Sequence, residues 1–535
     1  MGTRSALLSP LRWRSPLVGL FLEARSFPER RRAARCRAFP APARRDFTAF
    51  LRHPGPLPAR AAVTLAAVNL AVVTFFLLSY SRHGVAYGPY RIDLDVYRIG
   101  GRVWLSGGNL YGRLPPTRAG VRLPFTYPPA AAVLLSPFSL VPMTVAVTVL
   151  TLVTIALLAV VLAVVLRHLG GPRGGPLWAL AWLLPPALFL EPVRDTLAFG
   201  QVNVALMALV TLDCLTDIPR WPRGALVGLA AAVKLSPLAF VLFFLLRRDY
   251  RAGLTAALSF AAVTAAGFAV AWHDSVRYWT GTVFQTGRIG NPASPSNQCI
   301  QAALARAGLG PPTALGIAAW LALSALAIVA ACRGMRYAFA ASLDCWALSL
   351  NAFATLLISP VSWSHHWVWC APAVLTLAAL SSRHRARLPL AAAGAGLLIF
   401  ATAPQSWFPP GAAGREPQWA AWQQAIGSSY VLFAALMLLL SAGALLTPLT
   451  RPSVHEPRRS PGTGRRNRPP GSGGAAIHIG GYRTRASGVG SDALSRLSWS
   501  ARSSPRRDGS GILTDLAIWP SGDKLFEKWP FMMRT

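Results

Sequence analysis

The chain has 535 residues, 53% of them hydrophobic and 13% charged, yet 53 Lys and Arg against 19 Asp and Glu leave a net charge of +34. Soluble domains carry about 25% charged residues, so an apolar body with a strongly basic balance excludes most soluble enzymes and any acidic disordered chain. Residues 1–60 hold a net +10 and residues 451–535 a net +9, no basic stretch alternates with aromatics, and the remaining excess flanks apolar runs, which favours a polytopic membrane protein over a nucleic-acid binder.

In chain order, residues 1–60 are rich in Arg, Pro and Ala and read as a basic disordered tail. Leu17–Leu22 is apolar but too short to span, and no signal-peptide cleavage site follows it. A bilayer core needs about 17–25 helical residues. Spans are predicted near 61–80, 143–166, 176–190, 196–213, 252–272, 313–332, 338–358, 366–381, 387–405 and 428–447, with the third and ninth marginal in length. Residues 61–447 thus form one membrane domain, and 448–535, rich in Ser, Gly, Pro and Arg, a second disordered tail.

Arginines orient these runs. With the basic N-terminal tail inside, Arg167, Arg173, Arg220 and Arg223 fall on the cytoplasmic side. The run 225–246 is followed by Arg247, Arg248 and Arg251, which a full crossing would place outside. It also carries Lys234 and Pro237 at its centre. It is therefore predicted to be two half-helices, in and back out, broken at Lys234-Leu-Ser-Pro237 and each reaching about 16 Å at 1.5 Å per residue. Arg333, Arg336 and Arg383–Arg387 then fall inside as well. The expected fold is an all-α polytopic membrane protein of about ten transmembrane helices plus one re-entrant helix pair. The six cysteines (Cys36, Cys214, Cys299, Cys332, Cys345, Cys370) have no CxxC or His/Cys spacing, so no disulfide framework or metal site is expected.

This topology gathers the unusual polar groups on the outer face. The first outer loop, 81–142, is too long for a simple connection and is predicted to hold two amphipathic surface helices, one through Val96, Tyr97, Val103 and Trp104 and one over 130–140. It carries Ile92-Asp93-Leu94-Asp95-Val96-Tyr97-Arg98 and Phe125-Thr126-Tyr127-Pro128-Pro129. The hairpin tip has Glu191, Arg194 and Asp195, followed by Phe199-Gly200-Gln201-Val202-Asn203. Later loops carry Ser294-Pro295-Ser296-Asn297-Gln298 and Ser359-Pro360-Val361-Ser362-Trp363-Ser364-His365-His366. Each has an ordinary structural reading beside a functional one. Asp93 fits a helix N-cap, Asp95 a solvated charge, Asn297 an Asx-turn, the His pair interfacial packing, and Lys234 a snorkelling or paired cation.

Taken in order, Asp-Leu-x-Val-Tyr, Thr-Tyr-Pro-Pro, Gly-Gln-x-Asn, Lys-x-x-Pro, Asn-Gln and Ser-Pro-x-Ser-Trp-x-His-His resemble glycosyltransferase family 87 over about residues 61–447. The resemblance implies a GT-C-type membrane fold, a polyprenyl-phosphate-sugar donor, a glycolipid acceptor, and metal-independent, cofactor-free catalysis at the extracytoplasmic face of the cell membrane. The expected reaction is inverting transfer of mannose to a phosphatidylinositol mannoside or lipomannan, with an arabinofuranosyl transferase as the alternative and a lipid or solute transporter as the rival class. One general base suffices because the donor already carries its leaving group. By resemblance the base is Asp93, with Asp95 as runner-up. Lys234, His365, His366 and Arg194 are expected at the donor phosphate, and Tyr97, Tyr127, Asn297, Gln298 and Trp363 at sugar or acceptor hydroxyls. Membrane lipids are the expected surroundings, and no nucleic acid is expected.

Overall fold

The computed structural model describes residues 59–78, 90–170, 177–310, 313–384, 386–408 and 419–446. Apart from positions 59 and 60, both basic tails lie outside these residues. Among the described residues the architecture is helical, and the one extended pairing is an isolated bridge between Asn297 and Trp363. The helices are α1 (Ala59–Leu78), α2 (Ile92–Leu105), α3 (Pro129–Leu135), α4 (Met143–His168), α5 (Leu177–Phe189), α6 (Glu191–Phe199), α7 (Asn203–Leu215), α8 (Ala225–Val233) and α9 (Val241–Leu246). They continue as α10 (Tyr250–Val270), α11 (Trp272–Thr280), α12 (Ile300–Arg306), α13 (Ala314–Ala340), α14 (Asp344–Ile358), α15 (Cys370–His384), α16 (Arg387–Thr402), α17 (Ala421–Gly427) and α18 (Ser429–Ala442).

Among the described residues, five helices are long and apolar enough to cross a bilayer: α1, α4, α10, α13 and the stretch Arg387–Ser406 that begins with α16. A sixth span arises if α17 and α18, bent by 75° at their junction, count as one. The other predicted runs are shorter or broken, each for a visible reason. Pro185 and Pro186 sit inside the 13-residue α5. The 196–213 run is interrupted at Gly200, and the 366–381 run begins as a tight 3-10 turn over Ser364–Trp369. Ser342, at φ 58°, separates α13 from α14.

A helix apolar on all sides must be buried on all sides, and the 15-residue α14 is, with Trp346, Leu350 and Phe353 fully enclosed. By contrast α10 and α13 turn Leu254, Leu258, Leu315, Leu321 and Val329 outward. Such continuous outward apolar faces suit a lipid surrounding rather than water. The protein is therefore a multi-pass membrane protein by its helices.

The segment between Arg223 and Arg247 goes out and comes back. α8 stops at Val233, Lys234 is extended (φ −146°, ψ 127°), and Ser236–Phe240 forms a 3-10 turn that leads into α9. Arg223 and Arg247 both donate to the Cys214 carbonyl, at 3.4 and 3.3 Å. Both ends also meet the start of α10: Gly224 lies against Ala252 and Ala256, and Leu245 against Gly253. The two ends of the segment therefore lie close together. Asp213, fully buried, caps the entry of α8 by accepting from the Gly224 and Val227 amides and from the Trp221 indole.

The break between α6 and α7 positions Gln201 and Asn203. Gly200 adopts the left-handed region (φ 72°) and passes directly beneath α2, where a Cβ would lie 2.8 Å from the Arg91 Cβ and 2.9 Å from the Leu94 Cβ. Both the conformation and the close approach require glycine. Gly200→Ala is expected to cost about 1–3 kcal/mol and to lower turnover by displacing Gln201. Thermal unfolding in detergent and turnover per folded molecule measure the two effects.

Candidate active site

A cavity of about 2620 Å³ lies among α2, α6, α7, the Lys234 break and the Ser359–Trp369 segment. Asp93, Tyr97, Tyr127, Arg194, Lys234, Trp363, His365 and His366 all line it. Asp93 is not the N-cap of α2, as one sequence reading allowed. Arg91 holds that position, and Asp93 lies in the first turn with its side chain partly open to the cavity.

Asp93 and Tyr97 stand four residues apart on one helical face. Gln201 joins them: its Nε2 donates to the Asp93 carboxylate at 2.5 Å, and its Oε1 receives the hydroxyls of Tyr97 at 2.7 Å and Tyr127 at 2.9 Å. The tyrosine oxygens are themselves 2.9 Å apart. Because phenols donate and a carboxylate only accepts, this arrangement fixes which way the Gln201 amide points. Burial raises the Asp93 pKa to about 6, against the opposing pull of the Gln201 hydrogen bond and the Lys234 charge. Such a carboxylate is mostly ionised at neutral pH yet basic enough to take a proton.

Two residues beyond Gln201, the Asn203 amide does the same for Lys234 and His365. Its Oδ1 accepts from Lys234 Nζ at 2.9 Å, and its Nδ2 donates to the His365 carbonyl at 2.9 Å, which also receives the Thr196 hydroxyl. The His365 ring packs against Phe199 and against His366, at 5.2 and 4.8 Å between centroids. Among the described residues, the buried His365 Nε2 has no hydrogen-bond partner. Arg194 contacts Asp195 at 3.4 Å. Glu191, almost fully buried, accepts the Tyr430 hydroxyl at 2.8 Å and the Gln405 amide at 3.4 Å. Burial and the neighbouring Asp195 push the Glu191 pKa up.

Three predicted site residues are not brought to the cavity. Asp95 is not solvated: it is buried, lies outside the cavity lining, and accepts from the Arg118 amide at 2.8 Å and the Tyr90 hydroxyl at 3.2 Å. Asn297 spends its carboxamide on the Ser362 amide and the Pro292 carbonyl. Gln298 does so on the carbonyls of Pro295 and Gly427 and on the Tyr430 amide. With Arg306, which holds the Ser294 and Asn297 carbonyls, they brace a loop whose Ser294, Pro295 and Ser296 reach the cavity. The sequence reading had assigned no role to Gln201 or Asn203. Their signal was the Gly-Gln-x-Asn motif, a pair of amides two residues apart at the start of an apolar run. Among the described residues no three His, Cys, Asp or Glu side chains group as metal ligands.

A profile of glycosyltransferase family 87 matches residues 125–360. The chain is 41% identical over 401 residues, 72% of its length, to 91% of a polyprenol-phosphate-mannose-dependent alpha-(1-2)-phosphatidylinositol mannoside mannosyltransferase of Mycobacterium tuberculosis. It is 42% identical over 370 residues, 66% of its length, to 83% of a protein of the same description from Mycolicibacterium smegmatis. A phosphatidylinositol pentamannoside mannosyltransferase of M. tuberculosis is 33% identical over 306 residues, 56% of this chain and 68% of that one. No solved structure matches.

Proposed function

The chain belongs to glycosyltransferase family 87, and from that premise we propose that it transfers mannose from a polyprenol-phosphate-mannose donor to a phosphatidylinositol mannoside acceptor. The observation that carries this reading is Asp93, a carboxylate open to the cavity, oriented by Gln201 and sharing that cavity with Lys234. The descriptions of the two relatives more than 40% identical supply the donor and acceptor.

In the proposed reaction Asp93 takes the proton of an acceptor hydroxyl as its oxygen attacks the anomeric carbon. The bond from that carbon to the phosphate oxygen breaks with inversion, and polyprenyl phosphate departs with the electron pair. Lys234, His366, His365 and Arg194 form the polar wall toward the phosphate, where cationic and N–H donors stabilise the growing charge. Tyr97, Tyr127 and Trp363 offer hydroxyls and a ring face to the sugars. Purified enzyme should move labelled mannose from polyprenol-phosphate-mannose to the acceptor in a linkage that an alpha-1,2-mannosidase releases. Transfer from the arabinose donor alone would overturn the mannosyl reading, and transfer from neither would overturn the enzyme reading.

We further propose a GT-C-type arrangement of about ten spans in the cell membrane, with 225–246 as a re-entrant pair and the cavity opening to the extracytoplasmic side. The arginines at 223, 247, 248 and 251 support this orientation through the positive-inside rule. A cysteine replacing exposed Arg251 in a cysteine-free background is expected to react only with an impermeant thiol reagent supplied from the cytoplasmic side. Labelling from outside would reverse the topology.

A further inference from the structure

The span of chain between α11 and the 294–298 loop crosses the cavity wall as two 3-10 turns, Thr282–Phe284 and Thr286–Ile289. It is pinned at Gly290 (φ 139°), which lies so close under the Trp363 ring that a Cβ would stand 2.9 Å from it. From this strap Arg288 faces the cavity, half-buried. Its Nη2 makes one long hydrogen bond, 3.4 Å, to the Tyr111 carbonyl. The Tyr111 hydroxyl in turn donates to the Tyr127 carbonyl at 2.7 Å, so the guanidinium stands at the outer end of the chain of contacts that leads through Tyr127 and Gln201 to Asp93.

The three Lys and Arg side chains lining the cavity are not equivalent. Arg194 lies 3.4 Å from Asp195. Lys234 is bonded to Asn203 and feels the charge of Asp93. Arg288 has no carboxylate within ion-pair distance among the described residues, and its charged neighbour Arg277 repels it. A guanidinium presents five N–H donors in a fork that fits the oxygens of a phosphate. Leaving one half-buried in a cavity wall with a single long bond to a carbonyl makes sense when an anion completes its partners.

From the position of Arg288 and its single long hydrogen bond, we propose that it binds the phosphodiester of a lipid substrate and so acts as a binding determinant beyond the residues assigned above. The inference rests on the function proposed above, in which both lipids carry a phosphodiester: the donor at its reacting bond, the acceptor between inositol and glycerol. The shared chemistry is the anionic diester, and kinetics distinguish the two sources.

The full-length enzyme, Arg288→Gln and Arg288→Lys are compared in detergent, with donor and acceptor each varied and with a neutral alkyl mannoside as a second acceptor. Loss of a charge-assisted contact is expected to raise KM for one of the lipids at least tenfold in Arg288→Gln, with kcat changed much less, and Arg288→Lys should recover most of the loss. If the diester is the acceptor's, the preference for phosphatidylinositol mannoside over the alkyl mannoside falls at least tenfold. If it is the donor's, KM for the donor rises equally with either acceptor. A merely structural hold on Tyr111 would lower kcat or folded yield without a KM effect confined to one lipid, and that outcome, or two unchanged KM values, overturns the inference. An inactive wild-type enzyme would instead overturn the proposed function, and this inference with it.

Discussion

Asp93→Asn is expected to lower mannosyl transfer by about 10²–10⁴-fold, the range that a positioned general base contributes. Asn keeps the shape of the side chain and an oxygen that can accept from Gln201 Nε2, so the geometry around Tyr97 and Tyr127 persists. Only the capacity to take the acceptor's proton is removed. The protein should also be extracted in normal amount. Burial makes Asp93 harder to ionise in the folded protein than in the unfolded chain, with its pKa raised to about 6. Above that pH its ionisation therefore opposes folding, and a neutral side chain removes that opposition. Asp95→Asn is the contrasting case. It weakens the carboxylate that holds the Arg118 amide and the Tyr90 hydroxyl, at a cost of about 1–3 kcal/mol, but leaves the proton acceptor in place. It should lose folded yield more than turnover per folded molecule. Near-normal turnover in Asp93→Asn together with an inactive Asp95→Asn would overturn the assignment of the base.

The same carboxyl sets a pH signature. As the proposed base Asp93 would work in its ionised form, so the rate should be near its plateau above pH 7 and fall about tenfold per unit below pH 6, the value to which its pKa is raised. That limb belongs to the wild type and should be missing from the residual rate of Asp93→Asn. A limb near pH 4, the ordinary carboxylate position, would mean that the base is not enclosed as described.

The organisation was legible where a single physical rule acted over many residues. Apolar length and flanking arginines were enough to predict that 225–246 turns back at Lys234. The joint hold of Arg223 and Arg247 on one carbonyl is the local form of that prediction. The candidate site was legible as a set of motifs but not as a set of directions. Asp93 and Asp95 share the first turn of α2, and two residues on a helix are about 200° apart in azimuth at 3.6 residues per turn. One therefore meets the cavity and the other the 118 loop, and no local pattern says which. Asn297 and Gln298 illustrate the converse. A carboxamide that braces a buried loop and one that meets a sugar have the same composition, and the difference lies in partners as remote as Gly427 and Tyr430. The roles of Gln201 and Asn203 stayed hidden because each bridges elements about a hundred residues or more apart in at least one of its bonds, Asp93 for the first and His365 for the second.

Replacing Lys234 should reveal whether the two walls act together. Lys234→Met keeps the length of the side chain and removes the charge, and it leaves the Asn203 Oδ1 without its donor. Two consequences are expected, and they appear in different measurements. The first is a fall in kcat of about 10²–10³, the typical effect of removing one donor aimed at charge that develops in the transition state. The departing phosphate gains negative charge as the anomeric bond breaks, and Lys234 lines the same cavity as the proposed base. The second concerns Asp93 itself. The Lys234 charge holds the Asp93 pKa down against burial, so removing it must move the acid limb of the rate upward from about pH 6. A variant that lost rate with an unmoved limb would place Lys234 on the phosphate but outside the electrostatic reach of the base. One that moved the limb at a nearly unchanged plateau rate would make Lys234 a tuner of Asp93 alone. Both effects together would mean that a single cation poises the proton acceptor before reaction and receives the phosphate during it, which explains why the chain breaks a helix to place an amine beside Asn203.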